Sequence, residues 1–517
     1  MGSDTFVKMA EITKTFGSVV ANKDVSFKVK KGEIYALLGE NGAGKSTLMN
    51  MLSGIYRPDK GAILVKGEEV NFNSPKDAIK AKIGMIHQHF KLVDVMTAAE
   101  NIILGQDVPF FINRRKLAGK IKKISDRFGL NVEPDKKIYN MSVGEKQNVE
   151  ILKVLFRGAD ILILDEPTAV LTPQEVERLF DILRKMKEEN CAIIIITHKL
   201  NEVMAISDWV SVMRKGENVG SVKTSETSPK RLTDLMVGKA VNLSIARVPG
   251  GEIRKLMSVE NLSVFDNDKV EKLKEISFTL NSGEILGVAG VAGSGQKELC
   301  EAIVGLQSDI AGKIVYKDEN ILGRTCRQIL KKGISMSFIP EDRLGMGLVS
   351  SMDIVNNTIL RDYYKQRSFF LNRKPAALKA TRMVEKLNIS TPGIKHPVKL
   401  LSGGNIQKVL LGREIDSNPK LLITAYPTRG LDIGSSHLIY DLINEQKQQG
   451  VGILYVGEDL DVLMELCDRI IVLCNGKITG TVKADKVTRE EIGFMMAGKS
   501  FDDLQKTEFT GEGVSHD

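Results

Sequence analysis

Gly39 to Ser46 read GENGAGKS, the spacing G-x-x-x-x-G-K-S, set between the apolar run IYALL and the helix-like TLMNMLSG. Glycines at these positions let backbone N–H groups turn inward around phosphate oxygens, while Lys45 can reach β and γ phosphates and Ser46 can ligate Mg²⁺. The whole loop, Gly39, Glu40, Asn41, Gly42, Ala43, Gly44, Lys45, Ser46 and the following Thr47, is therefore a candidate phosphate cradle. A second group lies at Asp165-Glu166, which ends the run ILIL. A parallel strand delivers its last side chains to a ligand crevice, so Asp165 could hold Mg²⁺ and Glu166 could orient and polarise an attacking water. On its own such a pair more often caps a helix; the phosphate loop upstream reverses that preference.

These groups need elements to hold them, and the chain supplies them twice. VKKGEIYALLGENGAGKSTL (Val29 to Leu48) answers LNSGEILGVAGVAGSGQKEL (Leu280 to Leu299), and MSVGEKQNVEILKVL (Met141 to Leu155) answers LSGGNIQKVLLGREI (Leu401 to Ile415). Ser142 and Ser402 stand 260 positions apart (402 − 142 = 260), as do Asp165 and Ala425 (425 − 165 = 260) and Gly238 and Gly498 (498 − 238 = 260). A constant offset over that span means duplication of a whole domain. Short apolar runs alternate with longer amphipathic segments such as TPQEVERLFDILRKMKEE, the pattern of an α/β domain with a mainly parallel sheet. The expected division is 1–245, 246–499 and a polar tail at 500–517, with the join marked by Pro249-Gly250-Gly251.

Composition narrows the class. A chain of 517 residues with 42% hydrophobic and 27% charged residues reads as a multidomain globular protein. Its net charge of +8 is spread along the chain without a basic block interleaved with aromatics, which favours a solvated lysine-rich surface over nucleic-acid binding. Five cysteines without a C-x-x-C pair indicate neither a disulfide framework nor a zinc site, and a reducing compartment fits best. The first residues lack the layout of a signal peptide, and no apolar run approaches the ~20 residues that span a bilayer.

Taken in order, the motifs resemble the nucleotide-binding domain of ATP-binding cassette (ABC) proteins, over nearly the whole chain and twice. The resemblance implies tandem P-loop ATPase domains, each with a RecA-like core, an antiparallel β subdomain and a helical signature subdomain. It also implies roles that lone residues would not suggest. Gln88 in MIHQ matches the coupling glutamine and a metal contact, His198 in IIIITH the γ-phosphate sensor, and Phe16 in TKTFGS the aromatic that stacks on adenine. MSVGEKQ and LSGGN stand at the signature, which in the family reaches a partner domain's γ-phosphate.

The second half departs from the family where chemistry is done. Gln296 and Lys297 replace Lys45 and Ser46, Glu341 replaces Gln88, Ala425-Tyr426 replaces Asp165-Glu166, and Glu458 replaces His198. LSGGN and Asp432 remain, whereas the first half has Val143 and Thr172 at those places. Family members pair head to tail, so the resemblance implies one intact composite site: Lys45, Ser46, Gln88, Asp165, Glu166 and His198 facing Ser402, Gly403, Gly404 and Asp432. Random decay of a duplicate would not spare LSGGN while removing the catalytic groups.

Translation-factor members carry a long charged tether between competent domains and repair members carry zinc fingers; neither is present. The expectation is therefore the ATP-hydrolysing subunit of an importer, using ATP and Mg²⁺ and peripheral on the cytoplasmic membrane face. Its implied partners are two integral-membrane permease subunits, docked in grooves beside Gln88 and Glu341, and an extracytoplasmic solute-binding (lipo)protein. SFIPEDRLGMGLV is similar to the ribose, galactoside and nucleoside class, and His87 to Gly105 to its nucleoside branch. Ribose- or galactoside-type sugars are the alternative cargo.

Overall fold

A computed structural model describes residues 5–17, 19–88, 90–106, 113–238, 245–251, 253–266, 268–332, 334–363 and 370–501. The polar tail expected from residue 500 lies outside these from residue 502 onward, as do residues 239–244 at the join. Two compact units result, Met1–Asn242 and Leu243–Asp517. In the second, the Ile245 N–H donates to Glu465 at 3.2 Å and Asn444 donates to the Ala246 carbonyl at 2.7 Å.

The first unit holds a six-stranded sheet ordered Glu217–Lys223, Trp209–Arg214, Ile34–Gly39, Ala192–Thr197, Ile161–Asp165 and Ile83–Ile86. Every pairing is parallel except the antiparallel edge pair of Glu217–Lys223 with Trp209–Arg214. The strands read as continuous apolar runs because both faces are covered. Ile161 and Ile163 enter the core shared with the phosphate-loop helix Lys45–Leu52, while Leu162 and Leu164 enter the core beneath the helices Ala98–Ile103, Arg114–Phe128 and Val143–Phe156. Burying such side chains stabilises by roughly 1.5–3 kcal/mol each, so this alternation locks the strand register, and with it the position of Asp165 at the strand's carboxyl end. A separate antiparallel sheet, Val19–Lys30, Thr5–Phe16, Lys60–Val65 and Glu68–Val70, packs on the first core.

The second unit repeats the plan. Its large sheet runs Met336–Ile339, Leu421–Ala425, Gly452–Val456, Ile285–Ala289, Arg469–Cys474 and Lys477–Lys483, with a four-stranded antiparallel sheet beside it. The strand-end turn is the same in both halves. Glu166 has φ 47° and Tyr426 φ 51°, and each donates its N–H to the neighbouring strand, to Ile196 and to Val456, at 2.9 Å. Positive φ is unusual away from glycine. Its survival at both places shows that the backbone of the site is set by the sheet, whichever side chain occupies the turn.

Candidate functional site

In the first unit the phosphate loop leaves the strand Ile34–Gly39 and enters the helix Lys45–Leu52. Gly44 sits at φ 94°, and a Cβ there would meet the Ala21 carbonyl at 2.4 Å and Asn22 Nδ2 at 2.6 Å. A Cβ on Gly42, at φ 81°, would meet nothing within 4 Å, so that face of the loop is open. Buried Asn22 donates to the Gly44 carbonyl at 3.2 Å, fastening the loop to the strand Val19–Lys30. Lys45 is buried and donates to the carbonyls of Gly39 at 2.7 Å and Glu40 at 3.0 Å. Burial pushes its ammonium below the usual lysine value, against the pull of Glu166, Asp165 and Glu40.

Two of the other expected residues converge on the carboxylate of a third, Glu166. Gln88 Nε2 donates to Glu166 Oε2 at 3.0 Å, and His198 Nδ1 lies 2.8 Å from Glu166 Oε1. Burial raises the Glu166 carboxyl, but the His198 bond and charge, aided by Lys45 and Lys199, outweigh it and hold the group below the usual carboxylate value. Asp165 goes the other way. Burial and then the nearby Glu166 raise it, against a hydrogen bond from Ser46 and the charge of Lys45. A half-buried carboxylate raised in this way, with a hydroxyl bound to it, is a donor set suited to a hard cation.

Phe16 is exposed on the small sheet, paired in register with Val19 and edge-on to Tyr56, with ring centroids 5.2 Å apart. Lys14 lies 5.5 Å from the same ring. Phe16 is nonetheless 44% exposed. Tyr56 and Lys14 were not expected from sequence, and nothing local marks them.

The second unit's matching crevice is filled by its own side chains. Gln296 Nε2 donates to the Val291 carbonyl at 3.1 Å, repeating the contact of Lys45 with Glu40 without the charge. Lys297, in the place of Ser46, pairs with Glu301 at 3.8 Å. Arg429 pairs with Glu341, lies 3.6 Å from Glu458, and sits 5.8 Å from the centre of the Tyr426 ring. Arg343 donates to the Arg429 carbonyl. A cation carried by the chain stands among the two carboxylates that replace Gln88 and His198. Arg429 was missed in the sequence because its partners are remote along the chain.

The two signatures also differ in what their side chains are doing. Ser142 caps the helix Val143–Phe156, accepting from the Glu145 N–H at 3.2 Å while Glu145 accepts from the Ser142 N–H at 2.7 Å. Glu145 also pairs with Lys136 at 2.5 Å. Ser402 begins the helix Gly403–Asp416 without a side-chain cap and accepts instead from Asn405 Nδ2 at 2.8 Å. A Cβ on Gly403 or Gly404 would come no nearer than 3.5 Å and 3.4 Å to any neighbour, so packing within the unit does not demand glycine at either place. Asp432 lies beside Gly404 and caps the helix Ile433–Gln448 through the N–H and hydroxyl of Ser435. Thr172, its counterpart, closes a capping box with Glu175.

Comparison with known proteins agrees with the motifs. The ABC transporter family pattern matches residues 22–169 and 273–429. The chain belongs to the ABC transporter family. It is 42% identical over 503 residues to the nucleoside import ATP-binding protein NupA of Lactococcus lactis, covering 96% of this chain and 99% of that one. It is 43% identical over 502 residues to the guanosine import ATP-binding protein NupO of Bacillus subtilis, covering 96% and 98%. The glucose import ATP-binding protein TsgD13 of Haloferax volcanii is 38% identical over 535 residues, with 96% of each covered. The chain is accordingly an ATP-binding ATPase with two cassettes, and no helix among the described residues is long and apolar enough to cross a membrane.

Proposed function

We propose that this chain is the ATPase subunit of a nucleoside importer and that it hydrolyses ATP at a single composite site. The observation that carries the reading is the one-sided chemistry. The first unit gathers Gln88 and His198 on Glu166, whereas the second sets Arg429 between Glu341 and Glu458. In head-to-tail pairing within the chain, Ser402, Gly403, Gly404 and Asp432 would complete the site of Lys45.

The geometry within each unit supports the following roles. Backbone N–H groups of Glu40 to Thr47 and the Lys45 ammonium bind and orient the phosphates. Ser46 and Asp165, with the Gln88 amide oxygen left free by its bond to Glu166, would hold Mg²⁺, which neutralises charge on the phosphate oxygens. Glu166, kept ionised by His198, takes up the proton of the attacking water, and His198 can then turn its hydrogen bond toward the γ-phosphate. Phe16 stacks on the adenine. Two permease subunits in the membrane and an extracytoplasmic solute-binding protein complete the assembly, with this chain peripheral on the cytoplasmic face.

The names of the relatives support nucleoside as cargo; the glucose relative favours a second reading, a sugar importer. Purification of the chain with its permease, followed by ATPase measurement with solute-binding protein loaded with guanosine or with ribose, decides between them. Glu166→Gln or Lys45→Ala should abolish turnover, while Tyr426→Ala and Gln296→Ala keep most of it. Equal losses from Tyr426→Ala would refute the single-site reading.

A further inference from the structure

Arg343 stands four residues past the strand Met336–Ile339 (343 − 339 = 4), at the start of the turn Arg343–Gly347. That turn is fastened to the helix Gly403–Asp416, the helix that Ser402 begins. Arg413 donates to the Gly347 carbonyl at 2.7 Å, and a Cβ on Gly347 would meet Leu410 Cδ2 at 2.8 Å. From this footing the half-buried Arg343 donates through Nη2 to the Arg429 carbonyl. Its Nη1 has no acceptor among the described residues and lies 3.5 Å from where a Cβ on Gly403 would stand. No carboxylate pairs with it among those residues, because Glu341 is taken by Arg429 and Asp342 by the Gly345 N–H at 2.8 Å. Burial and then the charge of Arg429 push its guanidinium below the usual arginine value, so an anion placed against it would be welcome.

The first unit carries the opposite charge at the matching place. Four residues past the strand Ile83–Ile86 (90 − 86 = 4) stands Phe90, which is uncharged. The signature there is flanked instead by two glutamates. Glu145 is matched by Lys136 at 2.5 Å, but Glu175 has no cation among the described residues, and a Cβ on Gly144 would meet its Oε1 at 2.5 Å. The second unit has neutral residues at both positions, Asn405 (405 − 145 = 260) and Ser435 (435 − 175 = 260). Asp432 does lie near Gly404, 3.6 Å from the place of a Cβ, with both its oxygens accepting from Ser435. The first signature thus carries an unmatched carboxylate, and the second a guanidinium that offsets Asp432. Across a few ångströms of partly desolvated protein, that difference in sign favours the second signature for receiving a phosphate.

We infer that Arg343 is a further residue of the hydrolysis site, the cation through which the second unit meets the terminal phosphate of ATP beside the Ser402 hydroxyl and the Gly403 backbone. The inference rests on the composite-site reading above and adds the residue that gives the intact signature its charge. A planar guanidinium matches phosphate oxygens through paired donors. Fixed in advance by the turn, it stabilises the charge that spreads over the γ-phosphate oxygens as water attacks and ADP leaves. It also gives Gly403 a purpose that packing does not. A side chain as large as that of Val143, its counterpart, would cover Nη1.

The test uses the full chain purified with its permease. Arg343→Gln keeps a donor for the Arg429 carbonyl but removes the charge, and it should lower kcat about 10²- to 10³-fold. Arg343→Lys keeps the charge and should stay within about tenfold of the parent. In a Glu166→Gln background, where ATP is not turned over, ATP and ADP are each competed against a fluorescent ADP analogue. There Arg343→Gln should leave ADP affinity unchanged and weaken ATP about 10- to 150-fold, the range for one hydrogen bond to a charged group. Damage to the fold would weaken both nucleotides alike, so the ratio separates contact with the γ-phosphate from support of the Arg429 turn. A normal rate for Arg343→Gln overturns the inference, as does an unchanged ATP-to-ADP ratio or an equal loss from Arg343→Lys. If Ser402→Ala also hydrolyses normally, the composite-site reading fails with it; if Ser402→Ala is slow while Arg343→Gln is normal, this inference fails alone.

Discussion

The two signature serines offer a separation of stability from catalysis. Ser142 works for its own helix, since its hydroxyl accepts from Glu145 N–H in a closed capping box. Replacing such a cap with alanine costs about 1 kcal/mol, which for a unit of this size lowers Tm by about 2–4 °C. Ser402 does no such work. Among the described residues its oxygen takes only the Asn405 amide and its proton has no acceptor, and the half-buried Asn405 also accepts from the Ser390 N–H at 3.0 Å. Ser402→Ala should therefore change stability by less than about 0.5 kcal/mol. In the proposed composite site, however, it removes a donor to the γ-phosphate in the transition state. Loss of one preorganised donor of that kind slows turnover by about 10² to 10³.

The expected outcome is a crossed pattern, with Ser142→Ala melting earlier at near-normal rate and Ser402→Ala melting normally at a greatly reduced rate. Thermal unfolding by circular dichroism and steady-state ATPase on the same preparations measure both. Nucleotide affinity, followed by a fluorescent ATP analogue, should be retained in both variants because the loop of Lys45 is untouched. If Ser142→Ala slows hydrolysis as much as Ser402→Ala, the assignment of signature to site is wrong. If neither slows it, the second unit is not the lid of the first.

Two further outcomes follow from the first unit alone. His198 holds Glu166 below the usual carboxylate value, so the base stays ionised to lower pH; His198→Ala should move the acid limb of the kcat–pH profile upward, and an unmoved limb would refute the coupling. Phe16→Ala should raise the KM for ATP about 5- to 150-fold, the range for loss of one base–aromatic stack, with kcat at saturation unchanged; an unaltered KM would place adenine elsewhere.

Much of this site is legible in the sequence because its chemistry sits at the ends of apolar runs. GENGAGKS follows IYALL and Asp165-Glu166 follows ILIL, and in both cases burial on two faces leaves the strand only one way to lie. The capping box of Ser142-x-x-Glu145 was equally visible, yet the segment reads more naturally as a weakened signature, and that reading hides the local role. Arg429, Glu341 and Glu458 have no such signature. They meet only because the strands Met336–Ile339, Leu421–Ala425 and Gly452–Val456, well separated along the chain, lie side by side in the sheet and end at the same edge.

The retained backbone and the altered charges together explain why a second cassette without catalytic groups keeps the shape of the first. A non-glycine residue at positive φ costs of order 1–3 kcal/mol, and both Glu166 and Tyr426 bear it, so the strand-end turn is a property of the shared sheet. What differs is charge balance. In the first crevice Lys45 acts on two carboxylates, Asp165 and Glu166, burial has raised one of these, and Lys199, which also acts on Glu166, is itself paired with Glu202 at 3.1 Å. That crevice is short of positive charge and gains from an added cation. In the second, Arg429 answers Glu341 and Glu458, and Lys297 is taken by Glu301. Arg429, with Arg343 bound to its carbonyl, already serves both carboxylates, so a metal ion would compete with Arg429 for them. An empty crevice with the same fold would have left Glu341 and Glu458 repelling each other and any phosphate nearby. Arg429 removes that repulsion, so the second unit can keep the fold of a cassette without the side chains that the first unit gathers on Glu166.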